Sequence, residues 1–258
     1  MNDFNRSYAA AAGRGRAMDM STDDGLRSFM LGVYNKLALG LLLSGILAFV
    51  AGTVPAVTEL VFNTPLRYVV QFGPIVLILV SMFAMRNPSP AGSAALYWGV
   101  VTLIGLGLGV WVYAANTGAV LETRGGREMA LDFLTIGKAF FITASAFGAL
   151  SLFGYTTKKN LSGVGSFMIM ALWGVVGLSL ISLFFPPSGM METIIMAAVL
   201  LLSAGLIAWE TQELKEGYYQ LGGDQRSLAV MTNWGALNFY ISFINMFRII
   251  LMFLSSRE

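Results

Sequence analysis

The chain alternates between long stretches without charge and short clusters of charged residues. Seven stretches of at least 17 residues contain no Asp, Glu, Lys or Arg. They cover residues 37–58, 68–85, 87–121, 139–157, 160–191, 193–209 and 227–247. A helix needs about 20 mostly apolar residues to cross the hydrocarbon core of a bilayer. The pattern therefore predicts seven membrane-spanning helices.

Charges and helix-breaking residues set the limits of these spans. Pro186 and Pro187 in "FFPPSG" divide one long uncharged stretch, because proline cannot continue a helix. The spans are predicted at 34–55, 67–86, 93–115, 134–156, 166–185, 191–212 and 228–253. The last one contains several polar residues, so a re-entrant segment is the alternative to a full span there. We favour the full span, because 227–247 alone is long enough.

Composition supports a membrane protein. The 258 residues are 56% hydrophobic and 12% charged, whereas soluble domains carry about 25% charged residues. The predicted fold class is an all-α membrane protein, a compact seven-transmembrane-helix bundle at residues 34–258. Residues 1–33 are polar and rich in small side chains, which predicts a disordered cytoplasmic tail.

The absence of two residue types excludes several functions. With no cysteine and no histidine, the chain cannot form disulfides, usual zinc sites or Ser-His and Cys-His nucleophilic pairs. No P-loop motif is present, and a net charge of +2 gives no basic field for nucleic acid. We therefore expect no enzymatic activity, no nucleic-acid partner and no cofactor, with calcium as the one ion to consider. Gly105 and Gly109, within "GLGLG", predict a close contact between two helices instead of a nucleotide site.

Basic residues predict the orientation, because they are enriched in cytoplasmic loops. Ten fall on the amino-terminal side of the predicted spans and six on the other side. The ten are Arg6, Arg14, Arg16, Arg27, Lys36, Arg86, Lys158, Lys159, Lys215 and Arg226. This bias predicts a cytoplasmic amino terminus and, with seven spans, a carboxyl terminus outside.

Polar residues of three predicted spans lie at a similar depth. Glu210 and Arg86 fall at the cytoplasmic ends of the sixth and second spans. Asn238, Ser242 and Asn245 share one helix face of the seventh, because their spacing is i, i+4, i+7. These side chains either meet in a polar cluster inside the bundle, or they serve separately at the membrane surface and in helix packing. In the second case Arg86 is a snorkelling flank residue, Glu210 is exposed to headgroups and the stripe packs helices.

Three motifs resemble a known family. "FGALSLFGYTTKKNLSGVGSF" at 147–167, "LIAWETQELK" at 206–215 and "ALNFYISFINMF" at 236–247 occur in the order typical of Bax inhibitor-1 proteins, also called transmembrane Bax inhibitor motif proteins. The resemblance covers about residues 25–255. It implies a seven-helix bundle in the bacterial inner membrane. It also implies two activities known in the family, a pH-sensitive calcium leak and modulation of the membrane-anchored ATP-dependent protease FtsH.

The resemblance also implies a site. In channel-like members, aspartates in spans six and seven and an arginine at the end of span two form a pH-sensing cluster. These positions correspond to Glu210, Ser242 and Arg86 here, with Glu210 as a possible weak calcium ligand. The supporting polar residues are Asn238, Asn245, Thr211 and Gln212.

Ser242 departs from the family pattern, because serine cannot ionise at any useful pH. Calcium takes 6–8 oxygen ligands, usually with several carboxylates, and two carboxylates that share a site raise the pKa of one of them. With one carboxylate, Glu210 is expected to pair with Arg86 as a plain salt bridge. The pair of Glu210 and Ser242 resembles the protease-modulating, YccA-like branch. The expected function is therefore modulation of FtsH and of membrane stress responses, with a calcium leak gated at Arg86 and Glu210 as the alternative.

The predicted orientation can be tested with a reporter fused after Glu258. A reporter that is active only outside the cytoplasm should be active there, because seven spans place the two termini on opposite sides. Activity of a cytoplasm-only reporter at the same position would instead indicate six spans or a re-entrant seventh segment.

Overall fold

A computed structural model describes residues 3–84, 87–122, 126, 128–181 and 188–255. Side chains are described from Asp24 onward, except at 84, 172, 176, 179 and 180. The helices are α1 (Asp3–Thr53), α2 (Pro55–Phe62), α3 (Leu66–Ala84), α4 (Pro90–Thr117), α5 (Phe133–Thr156), α6 (Ser162–Ile181), α7 (Gly189–Gln220) and α8 (Gln225–Ser255). Strands β1 (Leu121–Glu122) and β2 (Glu128–Met129) pair antiparallel between α4 and α5.

The predicted class, an all-α membrane protein, is confirmed. Within the described residues, six helices are long and apolar enough to cross a membrane: Asp24–Thr53 of α1, Leu66–Phe83 of α3, and α4, α5, α7 and α8. The predicted fifth span corresponds to α6 (Ser162–Ile181), of which the described part includes the apolar stretch Ser162–Val175. The count of seven spans therefore stays a prediction.

Two helices extend beyond the predicted spans. Helix α1 is already packed in the core from Leu26, so the membrane domain begins before residue 34. Helix α7 continues to Gln220, eight residues beyond the predicted end at 212. Lys36 and Glu210, near the ends of these two predicted spans, lie well inside the helices and have polar partners there. Helix α2 and the β1–β2 hairpin were not predicted, because both are short.

Helix α8 occupies the centre of the bundle. It packs against α1, α4, α5 and α7, whereas α3 packs mainly on α4 and α6 on α7. Its most apolar segment is 56% buried inside the protein, compared with 17–33% for the other five spanning helices. This continuous 31-residue helix supports the full span over the re-entrant alternative.

Helices α1 and α4 approach each other closely through glycine, as predicted. A Cβ atom placed on Gly109 would lie 2.7 Å from the Cβ of Ala51. A Cβ on Gly105 would lie 2.8 Å from the Cα of Ser44. Real Cβ atoms do not come this close, so only glycine permits the contact, as in other small-residue helix interfaces. The prediction for Gly105 and Gly109 is confirmed.

Side chains cap the helices outside the apolar segments. The carboxylate of Asp132 accepts a hydrogen bond from the backbone N–H of Thr135 at 2.6 Å, at the start of α5. Hydrogen bonds from the side chain and backbone of Thr135 hold the pKa of Asp132 below its usual value. Asp224 accepts from the backbone N–H of Ser227 in the first turn of α8, and its pKa is lowered for the same reason. These caps fix where α5 and α8 begin.

Candidate functional site

Glu210 and Ser242 meet where α7 packs on α8. The Ser242 hydroxyl lies 3.1 Å from Oε2 and 3.3 Å from Oε1 of Glu210, and it donates to the carboxylate. Ser242 is buried and Glu210 is half-buried. Glu210 lies about 15 Å along the helix axis from the end of α7 at Gln220, with its carboxylate turned toward α8. The structure thus brings together two of the three residues in the predicted cluster.

A tight turn sets the register that pairs these residues. Helices α7 and α8 are joined by residues 221–224, in which Gly222 and Gly223 have φ values of 56° and 88°. This left-handed region is readily open only to glycine. Beyond the turn, Gly235 of α8 packs against Leu214 of α7 so closely that its added Cβ would lie 2.6 Å from Leu214 Cδ2. The two helices therefore run antiparallel in close contact, which places Ser242 opposite Glu210.

The third predicted member, Arg86, lies outside the described residues. Its salt bridge with Glu210 therefore stays a prediction, as does the role of Glu210 as a weak calcium ligand. Among the described side chains, no group of three or more Asp or Glu residues is arranged to hold a metal ion. Glu213 and Glu216 follow on α7, both exposed, and line a cavity of about 400 Å³ beside Trp209.

The predicted stripe on α8 faces the interior only in part. Ser242 is buried and Asn245 is half-buried, but Asn238 is exposed. The inward orientation predicted for Asn238 is therefore wrong. The buried positions at this level of α8 belong to its neighbours Leu237 and Phe239, which are 2% and 0% exposed.

Thr211 and Gln212 join other elements of the bundle. Thr211 Oγ1 donates to the carbonyl of Ile207 and lies 3.0 Å from Ser151 Oγ, which lies 2.5 Å from the hydroxyl of Tyr34. This chain of hydroxyls connects α7, α5 and α1.

Gln212 accepts from the backbone N–H of Leu161 at 2.7 Å and donates to the carbonyl of Lys159 at 2.9 Å. It holds the α5–α6 connection against α7. The hydrogen bonds of both predicted supporting residues thus fix helices relative to one another.

Sequence reasoning missed a second polar cluster. The Lys36 amino group on α1 donates to Asn233 Oδ1 on α8. Asn233 Nδ2 donates to Ser93 Oγ at 2.8 Å and to the carbonyl of Pro90 at 2.9 Å, both on α4. Lys36 had served only as a marker of orientation. The available signal was its position between Val33 and Leu37, two apolar residues that are both buried, together with an asparagine inside a span.

Comparison with known proteins identifies relatives along nearly the whole chain. Residues 26–258 match the family model described as inhibitor of apoptosis-promoting Bax1. A protein of Caulobacter vibrioides is 49% identical, and the match covers 98% of each chain. Protein RP147 of Rickettsia prowazekii is 34% identical over 92% of each chain. The inner membrane protein YbhL of Escherichia coli K12 is 32% identical over 91% of this chain and 94% of its own.

The Lys36–Asn233 contact predicts a strong effect of Asn233→Leu on stability. The change removes the acceptor of the half-buried Lys36 amino group and two donors, so unfolding should become easier by about 1–3 kcal/mol. The double variant Lys36→Met/Asn233→Leu should cost less, because it leaves no cation without a partner. Unfolding in detergent micelles measures both.

Asn238→Leu is the matched control, because it makes the same replacement at an exposed position of the same helix. It should change stability by less than about 0.5 kcal/mol. Lys36→Met completes the set of single variants. If the double variant is destabilised by the sum of the effects of Lys36→Met and Asn233→Leu, the two residues are not coupled, and the role given to this cluster is wrong.

Proposed function

Because the chain belongs to the Bax inhibitor-1 family, we propose that it is an inner-membrane, non-enzymatic modulator of the membrane-anchored ATP-dependent protease FtsH. The inner-membrane location is supported by the similarity to YbhL, which is named an inner membrane protein. The protein crosses the membrane several times, in keeping with its long apolar helices. Through the protease it would act on membrane stress responses.

One observation carries the choice of a modulator over a strong channel. Glu210 has a hydroxyl, that of Ser242, where a pH-sensing pair would have a second carboxylate. A hydroxyl adds an oxygen but no negative charge, and calcium sites usually combine several carboxylates. A hydroxyl also donates to Glu210 without repelling it, so it removes the like-charge repulsion that makes a carboxylate pair sensitive to pH.

The amino-terminal segment offers a surface for a protease partner. Residues 1–23, which precede the apolar span Asp24–Thr53 in the sequence, are rich in polar and small side chains, and under this proposal they lie outside the membrane. With the predicted orientation they are in the cytoplasm, where an ATP-dependent protease domain has its substrates. Under this proposal the partner engages residues 1–23, and the buried residues from Leu26 onward keep their packing.

We expect this protein to change the rate at which FtsH degrades a membrane substrate in shared proteoliposomes. Replacing residues 2–23 by a Gly/Ser linker of equal length should abolish the effect, because it removes the cytoplasmic contact and leaves the packed residues intact. The degradation rate is compared for liposomes with wild type, with the linker variant and with no added protein. Equal rates with and without wild type would rule out the modulator role. Equal effects of the two proteins would rule out the amino-terminal contact.

A second candidate function, a pH-sensitive calcium leak gated at the Arg86–Glu210 contact, is favoured by the acidic face of α7. Glu213 and Glu216 follow Glu210 at spacings of three residues and line the cavity between α6, α7 and α8. A cation that entered this cavity would meet two carboxylates and then lie one helical turn from Glu210. Under this proposal calcium conduction is weak, because Ser242, which contacts Glu210 at the inner end of this path, adds no negative charge.

Ser242→Asp should strengthen a calcium leak and make it steeper with pH, because it supplies a second carboxylate opposite Glu210. Ser242→Asn is the matched control, since asparagine has nearly the same size as aspartate and carries no charge. Calcium flux into proteoliposomes is measured between acidic and neutral pH. The single-carboxylate argument fails if wild type already shows a steep pH-gated leak that Ser242→Asp leaves unchanged.

A further inference from the structure

Helices α1 and α5 border a long groove on the side of the bundle. Its wide end is a cavity of about 630 Å³ between residues 27–37 of α1 and 147–155 of α5. It continues along α1 as a cavity of about 580 Å³ that includes Gly45 and Phe49. A third cavity, of about 330 Å³, shares these two residues and reaches the α8 side chains Phe243 and Phe247. We call the three together the α1–α5 groove.

The groove has the length of a bilayer crossing. Its lining residues on α1 run from Arg27 to Val50, which corresponds to about 35 Å of helix, compared with about 30 Å for the hydrocarbon core. In the wide end they are three or four residues apart or adjacent, which places them on one side of α1, and toward Phe49 the lined side of the helix widens. Most of the lining side chains are Leu, Met, Ile, Val or Phe. The chemistry of the walls therefore suits a hydrocarbon chain.

The wide end is lined by four polar or partly polar side chains, Arg27, Tyr34, Ser151 and Tyr155. Tyr34 and Ser151 already bond to each other at 2.5 Å. Arg27 is exposed and lines the opening. Lys215 lies behind the opposite wall, where its amino group donates to the carbonyl of Tyr155 at 3.0 Å. One cation thus lines this end of the apolar groove and a second lies behind its wall, and basic residues between transmembrane helices attract anionic lipid headgroups.

We propose that the α1–α5 groove binds an anionic phospholipid. One acyl chain lies along the apolar stripe of α1, and the phosphate of the headgroup lies against Arg27. With the predicted orientation, this mouth faces the cytoplasmic leaflet. The site is separate from the cavity lined by Glu213 and Glu216, so it does not depend on either function proposed above.

Three glycines make the groove testable without disturbing the packing of the protein. Cβ atoms placed on Gly45, Gly137 and Gly148 would have no heavy atom within 4 Å, and all three residues line the groove. A larger side chain at these positions would extend into the space assigned to the lipid. Leucine also favours the helix by up to about 1 kcal/mol relative to glycine, so such variants should remain folded.

The experiment measures lipid binding to the purified full-length protein by native mass spectrometry. Phosphatidylglycerol and phosphatidylcholine with identical acyl chains are titrated separately. Wild type should bind one phosphatidylglycerol more tightly than phosphatidylcholine. Gly45→Leu/Gly148→Leu should weaken binding of both lipids, because it fills the groove. Arg27→Gln should weaken phosphatidylglycerol about fivefold and leave phosphatidylcholine unchanged, because one cation near the headgroup is removed.

Gly174→Leu on α6 is the matched control. It makes the same replacement at an exposed glycine that also has open space around it, and it should bind lipid as wild type does. Thermal unfolding of each variant confirms that it is folded. Unchanged lipid binding by Gly45→Leu/Gly148→Leu overturns the groove as the site, and unchanged phosphatidylglycerol affinity in Arg27→Gln overturns the headgroup assignment. Dimers of wild type that the double glycine variant abolishes would show that a second copy of the chain occupies the groove, which also overturns the proposal.

Discussion

The hydrocarbon core offers no hydrogen-bond partners, and this constraint organises the whole bundle around α8. The polar side chains of the central helix find their partners on different neighbours. Asn233 bonds to Lys36 of α1 and to α4, Tyr240 lies 2.6 Å from Ser44 of α1, and Ser242 donates to Glu210 of α7. In the part of the chain that the structure describes, every buried side-chain nitrogen and oxygen has a partner. Each pair fixes a neighbouring helix in rotation and depth, since an unpaired polar group would be costly there.

The same packing explains why one side of α1 stays open. Gly105 and Gly109 bring α4 so close to α1 that the contact tolerates no larger residue. Helix α1 thereby commits one face to α4 and another to α8, and its remaining stripe faces α5 across the groove. The open glycines on this stripe and on α5, Gly45 and Gly148, contrast with those in the α1–α4 contact. On the side of α1 that faces α4, glycine allows a close helix contact, and on the side that faces α5 it leaves open space.

Much of the fold follows from hydrophobicity, whereas the position of charges inside it does not. The predicted spans 93–115 and 134–156 agree within three residues with α4 (Pro90–Thr117) and α5 (Phe133–Thr156), because polar loops bound them. Hydrophobicity does not predict where a charged side chain inside the bundle has a partner far away in the sequence, as Lys36 has in Asn233, 197 residues further on. The Glu210–Ser242 contact was predicted from the family resemblance, because the spacing of residues alone also allowed Glu210 to lie at the membrane surface. Asn238 shows the opposite error, because a shared helix face does not tell how far the neighbouring helices cover it.

The groove and the carboxylate site are physically contiguous although they open on different sides of the bundle. Tyr34 lines the mouth of the groove, and its hydroxyl begins the chain through Ser151 to Thr211. Thr211 directly follows Glu210 in α7. The chain is buried at Ser151 and Thr211, which are 3% and 0% exposed, so water cannot replace a broken link. If a groove ligand displaced Tyr34, the hydroxyls of Ser151 on α5 and Thr211 on α7 would therefore have to rearrange their hydrogen bonds. Contiguity alone does not create coupling, which needs an element with two stable arrangements. The hydroxyl chain ends at Thr211, one residue from the carboxylate that Ser242 holds at the α7–α8 interface, so such an element would have to include this part of α7.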